Sequence, residues 1–270
     1  MKTKVSIAFL IIFMISAGLL AQESQEELAK AAQNPLANIM SFPFQNNTNF
    51  GYGPQNDRTQ NLLNIQPVLP FFEGRLITRT IFPLLWQPDF PETSGSNMGL
   101  SNVQFTAFYA PKSKGITWGV GPILSFPAGS SDFGSKKWSA GPSIVVLKMG
   151  KKWVYGFLIN NVWSFAGDSD ASDVNSMLFQ YFLNYNLKKG MYFTMAPVIT
   201  ANWMAAEGQQ WSVPFGIGFG KIVKLGGKLP INMQAGYYYN VISPDFGPKS
   251  QLRVQVQVML PTSILKKGKK

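Results

Sequence analysis

The segment Gln251–Leu260 reads Gln-Leu-Arg-Val-Gln-Val-Gln-Val-Met-Leu. Leu252, Val254, Val256, Val258 and Leu260 share one face of an extended strand. Arg253, Gln255, Gln257 and Met259 share the other, because side chains along a strand alternate with a period of two. The pattern recurs. Met177, Phe179, Tyr181, Leu183, Tyr185 and Leu187 oppose Gln180, Asn184 and Asn186, with Leu178 and Phe182 as exceptions. Ile231, Met233, Ala235, Tyr237 and Tyr239 oppose Asn232, Gln234, Gly236, Tyr238 and Asn240. From Ile39 onward the alternation predicts twelve strands, near 39–49, 61–70, 75–86, 99–110, 116–127, 138–148, 153–165, 174–187, 191–204, 210–223, 229–242 and 250–260. Their length suits tilted strands that cross a bilayer. One oily wall and one mostly polar wall predict an all-β fold, an antiparallel transmembrane β-barrel with lipid outside and a polar lumen inside.

The connectors alternate in length. Short ones fall near 71–74, 111–115, 149–152, 188–190 and 224–228. Longer ones fall near 50–60, 87–98, 128–137, 166–173, 205–209 and 243–249. Outer-membrane barrels carry short periplasmic turns and longer outer loops, and an even strand count returns both termini to the periplasmic side. Charge divides in the same way. Asp57, Asp89, Glu92, Asp132, Asp168, Asp170, Asp173, Glu207 and Asp245 fall in the longer connectors, whereas Lys112, Lys114, Lys148, Lys151, Lys152, Lys188, Lys189, Lys224 and Lys228 carry or flank the short ones. Glu73 on the short side, and Arg58, Lys136, Lys137 and Lys249 on the long side, run against the trend. Trp86, Trp118, Trp138, Trp153, Trp163, Trp203 and Trp211 all sit near strand ends, as expected of an aromatic girdle at the lipid–water boundary. The main objection is proline. Pro43, Pro67, Pro83, Pro122, Pro142, Pro197 and Pro214 lie in or beside strands, where each removes a ladder hydrogen bond, so bulges or shortened strands are required.

Composition sharpens the picture. Of 270 residues 46% are hydrophobic and only 14% charged, a low charged share for a soluble domain. Residues 1–21 read as a signal peptide, with Lys2 and Lys4 before an apolar run and cleavage after Ala21. Residues 22–38 form a polar, Ala-rich periplasmic leader, 39–260 the barrel, and 261–270 a basic tail ending in Lys266-Lys-Gly-Lys-Lys270. Export without a later apolar helix leaves the periplasm or the outer membrane of a Gram-negative bacterium. The chain has no Cys and no His, which removes thiol chemistry, the usual general base and the commonest zinc ligand. No enzyme activity, cofactor or metal is expected. After cleavage the net charge is +9, but the charges lie in turns of an exported chain, so no nucleic acid is expected. The expected partners are outer-membrane lipid and lipopolysaccharide, the barrel-assembly machinery during insertion, and a small-molecule solute.

Candidate chemistry is sparse. Phe215-Gly-Ile-Gly-Phe-Gly-Lys221 lacks a P-loop's first Gly and final Ser or Thr, and its glycines fit one bare face of a strand. Asp168-Ser-Asp-Ala-Ser-Asp173 lacks the Gly and Glu of an EF-hand loop and reads as a solvated acidic loop, with a loose divalent-ion contact to lipopolysaccharide as the other reading. Arg79 and Arg253 lie within strands. A charge facing lipid at mid-depth costs about 2–4 kcal/mol, so both are expected in the lumen, as pore lining or paired with a carboxylate. Gln180, Asn184, Asn202, Gln234, Gln255 and Gln257 join them as pore-lining candidates or as a hydrogen-bonded polar plug.

Asn34–Asn49, Leu63–Val68, Trp118-Gly-Val-Gly-Pro122, Asn160–Gly167, Pro197–Trp203 and Val213–Lys221 resemble segments of bacterial proteins grouped with the MetA pathway of phenol degradation, whose members are labelled transporter or neuromedin U. The resemblance spans nearly the whole mature chain. It implies an outer-membrane β-barrel, a porin-like channel for small or aromatic solutes, and it supplies no catalytic motif. The chain departs from common barrel endings in lacking a terminal aromatic residue. Three readings follow: a passive channel, a structural or adhesive barrel with a plugged lumen, and a soluble periplasmic ligand-binding β-barrel.

Overall fold

The computed structural model describes residues 25–88, 96–129 and 133–262. The signal-peptide segment, the lysines of the basic tail, and Asp89, Glu92 and Asp132 lie outside the described residues.

The chain folds into a closed, antiparallel barrel of 12 strands. In chain order these are β1 (Met40–Tyr52), β2 (Arg58–Ile65, resuming at Val68–Phe71), β3 (Leu76–Pro88), β4 (Ser96–Leu100, resuming at Val103–Tyr109), β5 (Ile116–Phe126) and β6 (Lys137–Met149). There follow β7 (Trp153–Gly167), β8 (Asn175–Asn186), β9 (Met191–Met195, resuming at Val198–Asn202), β10 (Trp211–Leu225), β11 (Leu229–Ile242) and β12 (Ser250–Leu260). Each strand pairs with its neighbour in sequence, and β12 closes on β1 from Met40↔Leu260 to Phe50↔Ser250. Closure pairs the edges that an open sheet would leave bare, a requirement for any β structure surrounded by hydrocarbon. Short turns and both ends of the barrel chain lie at one end, the base, and longer connectors lie at the other, the mouth.

The expected strand series is present, with three strands interrupted rather than continuous. The breaks in β2 and β9 fall at Gln66-Pro67 and Ala196-Pro197, and that in β4 at Ser101-Asn102. Proline explains the first two, since it has no N–H to give. Other prolines are absorbed without a break. Pro122 and Pro142 pair with one another across β5 and β6. The β4–β5 ladder is missing between Thr106↔Ile123 and Tyr109↔Val120, and the β6–β7 ladder between Ala140↔Trp163 and Ser143↔Asn160. The residue before each proline is glycine. A Cβ at Gly121 would lie 1.8 Å from the Ala107 carbonyl oxygen, and one at Gly141 1.7 Å from that of Asn161. Glycine therefore lets the neighbouring strand press in where proline has removed a bond.

Alternation sorts the side chains as the pattern requires. Val254, Val256, Phe215, Ile217, Phe219, Tyr237, Tyr239, Ile144 and Leu124 are exposed on the outer wall. Asn47, Asn49, Asn184, Asn232, Arg253 and Gln257 are buried within. Trp203 and Trp211 meet edge to face at 5.3 Å near the mouth, and the Trp203 indole N–H donates to Asn161 Oδ1 at 2.8 Å. Trp153 meets Tyr185 at 4.7 Å near the base. Several charges that ran against the trend are paired. Lys112 bonds Glu73 at 3.0 Å, Lys136 bonds Asp168 at 3.2 Å and Lys137 bonds Asp173 at 3.4 Å.

The leader packs into the barrel. Helix α1 (Gln25–Ala32) has Glu26 and Glu27 in its first turn and Lys30 in its last, matching the helix dipole. It stops just before Asn34-Pro35, where proline cannot continue the ladder. Leu28 and Ala29 are buried with Ile39, Tyr192, Ile222 and Met259. Beyond the helix, Leu36 is buried against Ile77, Phe108, Val145, Leu147, Val154 and Leu158. Polar contacts complete the seat. Gln33 Nε2 donates to Asn186 Oδ1 at 2.8 Å, and the Lys189 N–H donates to Glu26 Oε1 at 2.8 Å. The base is thus filled by an N-terminal plug.

Candidate functional site

Above the plug lies a chamber of about 170 Å³, bounded below by Ala31, Ala32, Gln33, Asn34, Pro35, Ala37 and Ile39. A wider vestibule of about 540 Å³ continues toward the mouth. Gln45, Gln66, Arg79, Leu158, Gln180 and Arg253 line both spaces and mark the boundary between them. Neither lining includes an Asp or Glu among the described residues.

The two arginines are placed by the two proline breaks. Gln66, just before Pro67, accepts a hydrogen bond from Arg79 Nη2. At the other break the Ala196 carbonyl, just before Pro197, turns inward. It accepts from Arg253 Nη1 at 2.7 Å and from Gln180 Nε2 at 3.2 Å. In the same region the β9–β10 ladder is interrupted between Thr194↔Gly218 and Thr200↔Ser212. The residue before a proline favours extended backbone, and the proline cannot donate. A carbonyl or side-chain acceptor at such a break is therefore free to serve the lumen.

Arg253 is 4% exposed and held entirely by neutral acceptors. Its Nε donates to Asn47 Oδ1 at 3.1 Å and its Nη2 to Gln251 Oε1 at 3.0 Å. The guanidinium lies 4.7 Å from the centroid of the Tyr238 ring, within cation–π range. Gln251 passes the network on: it donates to Asn49 at 2.9 Å, and Asn49 donates to Gln60 at 2.9 Å. Among the described residues, neither Arg79 nor Arg253 has a carboxylate partner. The carboxylate pairing offered as one reading of these arginines therefore has no counterpart there.

The other sequence candidates divide. Gln180, Asn184, Gln234, Gln255 and Gln257 line the chamber with Arg79 and Arg253. Gln257 also accepts from Asn232 at 3.1 Å, and Asn232 accepts from the Tyr192 hydroxyl at 2.7 Å, so this part of the wall is tied together beside the plug. Asn202 lies further out, lining a space at the mouth with Gln104, Asn160, Thr200 and Ser212. It is exposed at the end of β9 near the mouth, and its Oδ1 accepts the Met204 N–H at 3.1 Å, capping a turn. Gln45, Asn47, Gln66 and the Ala196 carbonyl were not singled out from the sequence. The alternation of Gln45, Asn47 and Asn49 was the available signal for part of this set. An inward-turned carbonyl leaves none.

The remaining motifs settle into the fold. Gly216, Gly218 and Gly220 lie along β10, and a Cβ at Gly220 would meet the Tyr192 ring at 2.2 Å. At the mouth, hydrogen bonds from the Asp170 N–H and from Lys136 hold the Asp168 carboxyl below its ordinary pKa. The acidic loop is thus partly neutralised by lysine.

Two solved channels share this architecture. The COG4313 outer membrane channel from Pseudomonas putida F1 is 18% identical, with a TM-score of 0.57 over 82% of this chain and 94% of that one. The NanC porin is 10% identical, with a TM-score of 0.54 over 82% of this chain and 98% of that one. An outer membrane phospholipase A from Escherichia coli matches at a TM-score of 0.42, too low to carry an argument about catalysis. No protein-family model matches the chain, and no curated protein matches it. The likeness establishes the fold, an outer-membrane type of β-barrel.

Proposed function

We propose that this chain is an outer-membrane channel that passes small solutes without an energy source. The observation that carries the reading is the division of the wall. A closed barrel presents an exposed apolar band outward and, inward, a space lined by amides, arginines and some aliphatic side chains that runs from the mouth to the plug. An apolar band of this kind is stable against hydrocarbon, and closed pairing satisfies the backbone there. The likeness to an outer membrane channel and a porin supports the same reading, as does the resemblance to the phenol-degradation group. In this account residues 1–21 direct export and are removed. The assembly machinery inserts the barrel with its base in the periplasm, and lipid and lipopolysaccharide surround it. The chain's lack of His speaks against an acid–base hydrolase.

The plug favours a second reading, a barrel closed at rest. Its seat combines two apolar clusters with few polar bonds, so displacement rather than chemical change is the step that opens it. Conductance of the purified full chain in planar bilayers tests the proposal. Discrete current steps are expected, with openings made more frequent by loosening the plug. Silence in both the native chain and a loosened variant would leave a structural barrel instead.

A further inference from the structure

We infer that the boundary between chamber and vestibule is a binding site for a small organic anion, a carboxylate carried on an apolar body. This rests on the lumen being a solute path and names the chemical class of solute. The first observation is charge without compensation. Arg79 and Arg253 both line the chamber and the vestibule, and neither space contains an acidic side chain among the described residues. Buried charges are ordinarily paired, because desolvation of an isolated ion is costly. Here the partners are amides and a carbonyl, which stabilise the cations without cancelling them.

The second observation is spare donor capacity. A guanidinium carries five N–H donors. Arg253 uses its Nε and one donor on each terminal nitrogen. Among the described residues Arg79 has a single side-chain partner, Gln66. Both therefore retain N–H groups for a ligand, and a carboxylate matches guanidinium geometry. The acceptors are fixed by the strand breaks at Pro67 and Pro197, so the site is held ready before any ligand arrives.

The third observation sets the rest of the solute. Leu62, Ile81, Leu85, Ile123, Leu158 and Leu178 line the vestibule with the arginines. A strongly hydrated inorganic anion gains nothing from such a surface, whereas an aryl or alkyl carboxylate buries its body there.

The test is a ligand-observed NMR titration of the full chain in detergent at low ionic strength, with empty micelles subtracted. The probes are benzoate, its neutral relative benzyl alcohol, and inorganic phosphate. Benzoate is expected to bind most tightly. Arg79→Gln and Arg253→Gln should each weaken it about tenfold, ~1.4 kcal/mol, and leave benzyl alcohol unchanged. Arg79→Lys should retain more binding than Arg79→Gln, which separates charge from packing. Benzyl alcohol or phosphate binding as tightly as native benzoate would overturn the inference, and this comparison needs no variant to fold. So would full benzoate affinity in both glutamine variants. A barrel that binds benzoate but carries no current even with the plug loosened would keep this site and remove the channel reading. A barrel that conducts but ignores benzoate would do the reverse.

Discussion

The two ends of the lumen follow different rules. At the base much of the inner wall is apolar, and the chain's own N-terminal segment covers it through Leu28, Ala29, Leu36 and Ile39, with Asn186 and Asn232 as polar ties beside it. Toward the mouth the inner face is amide-rich, and Asn47, Asn49, Gln60, Gln251 and Arg253 bond one another across strands. A barrel wall therefore need not be uniformly polar inside. Its largest apolar clusters lie where protein fills it, whereas the open part mixes amides and arginines with aliphatic side chains. The base behaves as a small hydrophobic core, and the upper half behaves as a solvated site.

The largest expected effect comes from breaking the base. The double substitution Leu28→Asp and Leu36→Asp places charges in two buried clusters and should expel the plug, since an unpaired buried charge is costly. Open probability in planar bilayers should rise several-fold while the barrel stays folded on gels. Unchanged conductance would mean that the plug is not what limits passage.

Next in size is a change to the wall alone. Gly121→Ala puts a Cβ within 1.8 Å of the Ala107 carbonyl, and the backbone must shift. A loss of about 1–3 kcal/mol is expected, measured as earlier thermal unfolding in detergent. The turn control Gly226→Ala, with nothing within 4 Å, tests backbone strain alone at its φ of 58° and should cost less.

A comparable or smaller loss is expected in the upper half. Arg253→Ala strands the Asn47, Ala196 and Gln251 acceptors and should cost about 1–3 kcal/mol. Arg253→Gln should restore part of it by the same thermal assay. Equal stability of all three proteins would show that water replaces the arginine freely.

Much of this contrast was legible in the sequence, and part of it was not. Period-two alternation located all twelve strands, because one face had to be apolar throughout. Leu178 and Phe182 stood out as exceptions to the polar face of β8, and they are packed against the Leu36 cluster. The exceptions therefore marked where the lumen is filled, but a single strand does not say by what. Residues 22–38 read as a polar leader because their apolar contacts are few and widely spaced. Arg79 and Arg253 were placed in the lumen by the cost of facing lipid. Their acceptors were not foreseen, since one is a backbone carbonyl freed by Pro197.

The smallest expected effect lies at the mouth, outside the lumen. The carboxyl pKa of Asp168 is lowered by hydrogen bonds from Asp170 and Lys136. A depressed folded pKa means that the contribution to loop order is present above the ordinary carboxylate range and is lost as pH falls through the folded value. An NMR titration should place the Asp168 midpoint below that of a free aspartate, and Lys136→Ala should raise it. The group is exposed, so added salt should shrink the shift.

The central claim is that one face of each strand meets hydrocarbon and the other faces the lumen. The chain has no cysteine, so single spin labels can be placed without background. Labels at Val254→Cys and Gln255→Cys, adjacent on β12, should give opposite results in lipid vesicles. Position 254 should be accessible to dissolved oxygen and shielded from a water-soluble nickel complex, and position 255 should show the reverse. Equal access of the nickel complex to both positions would contradict the account.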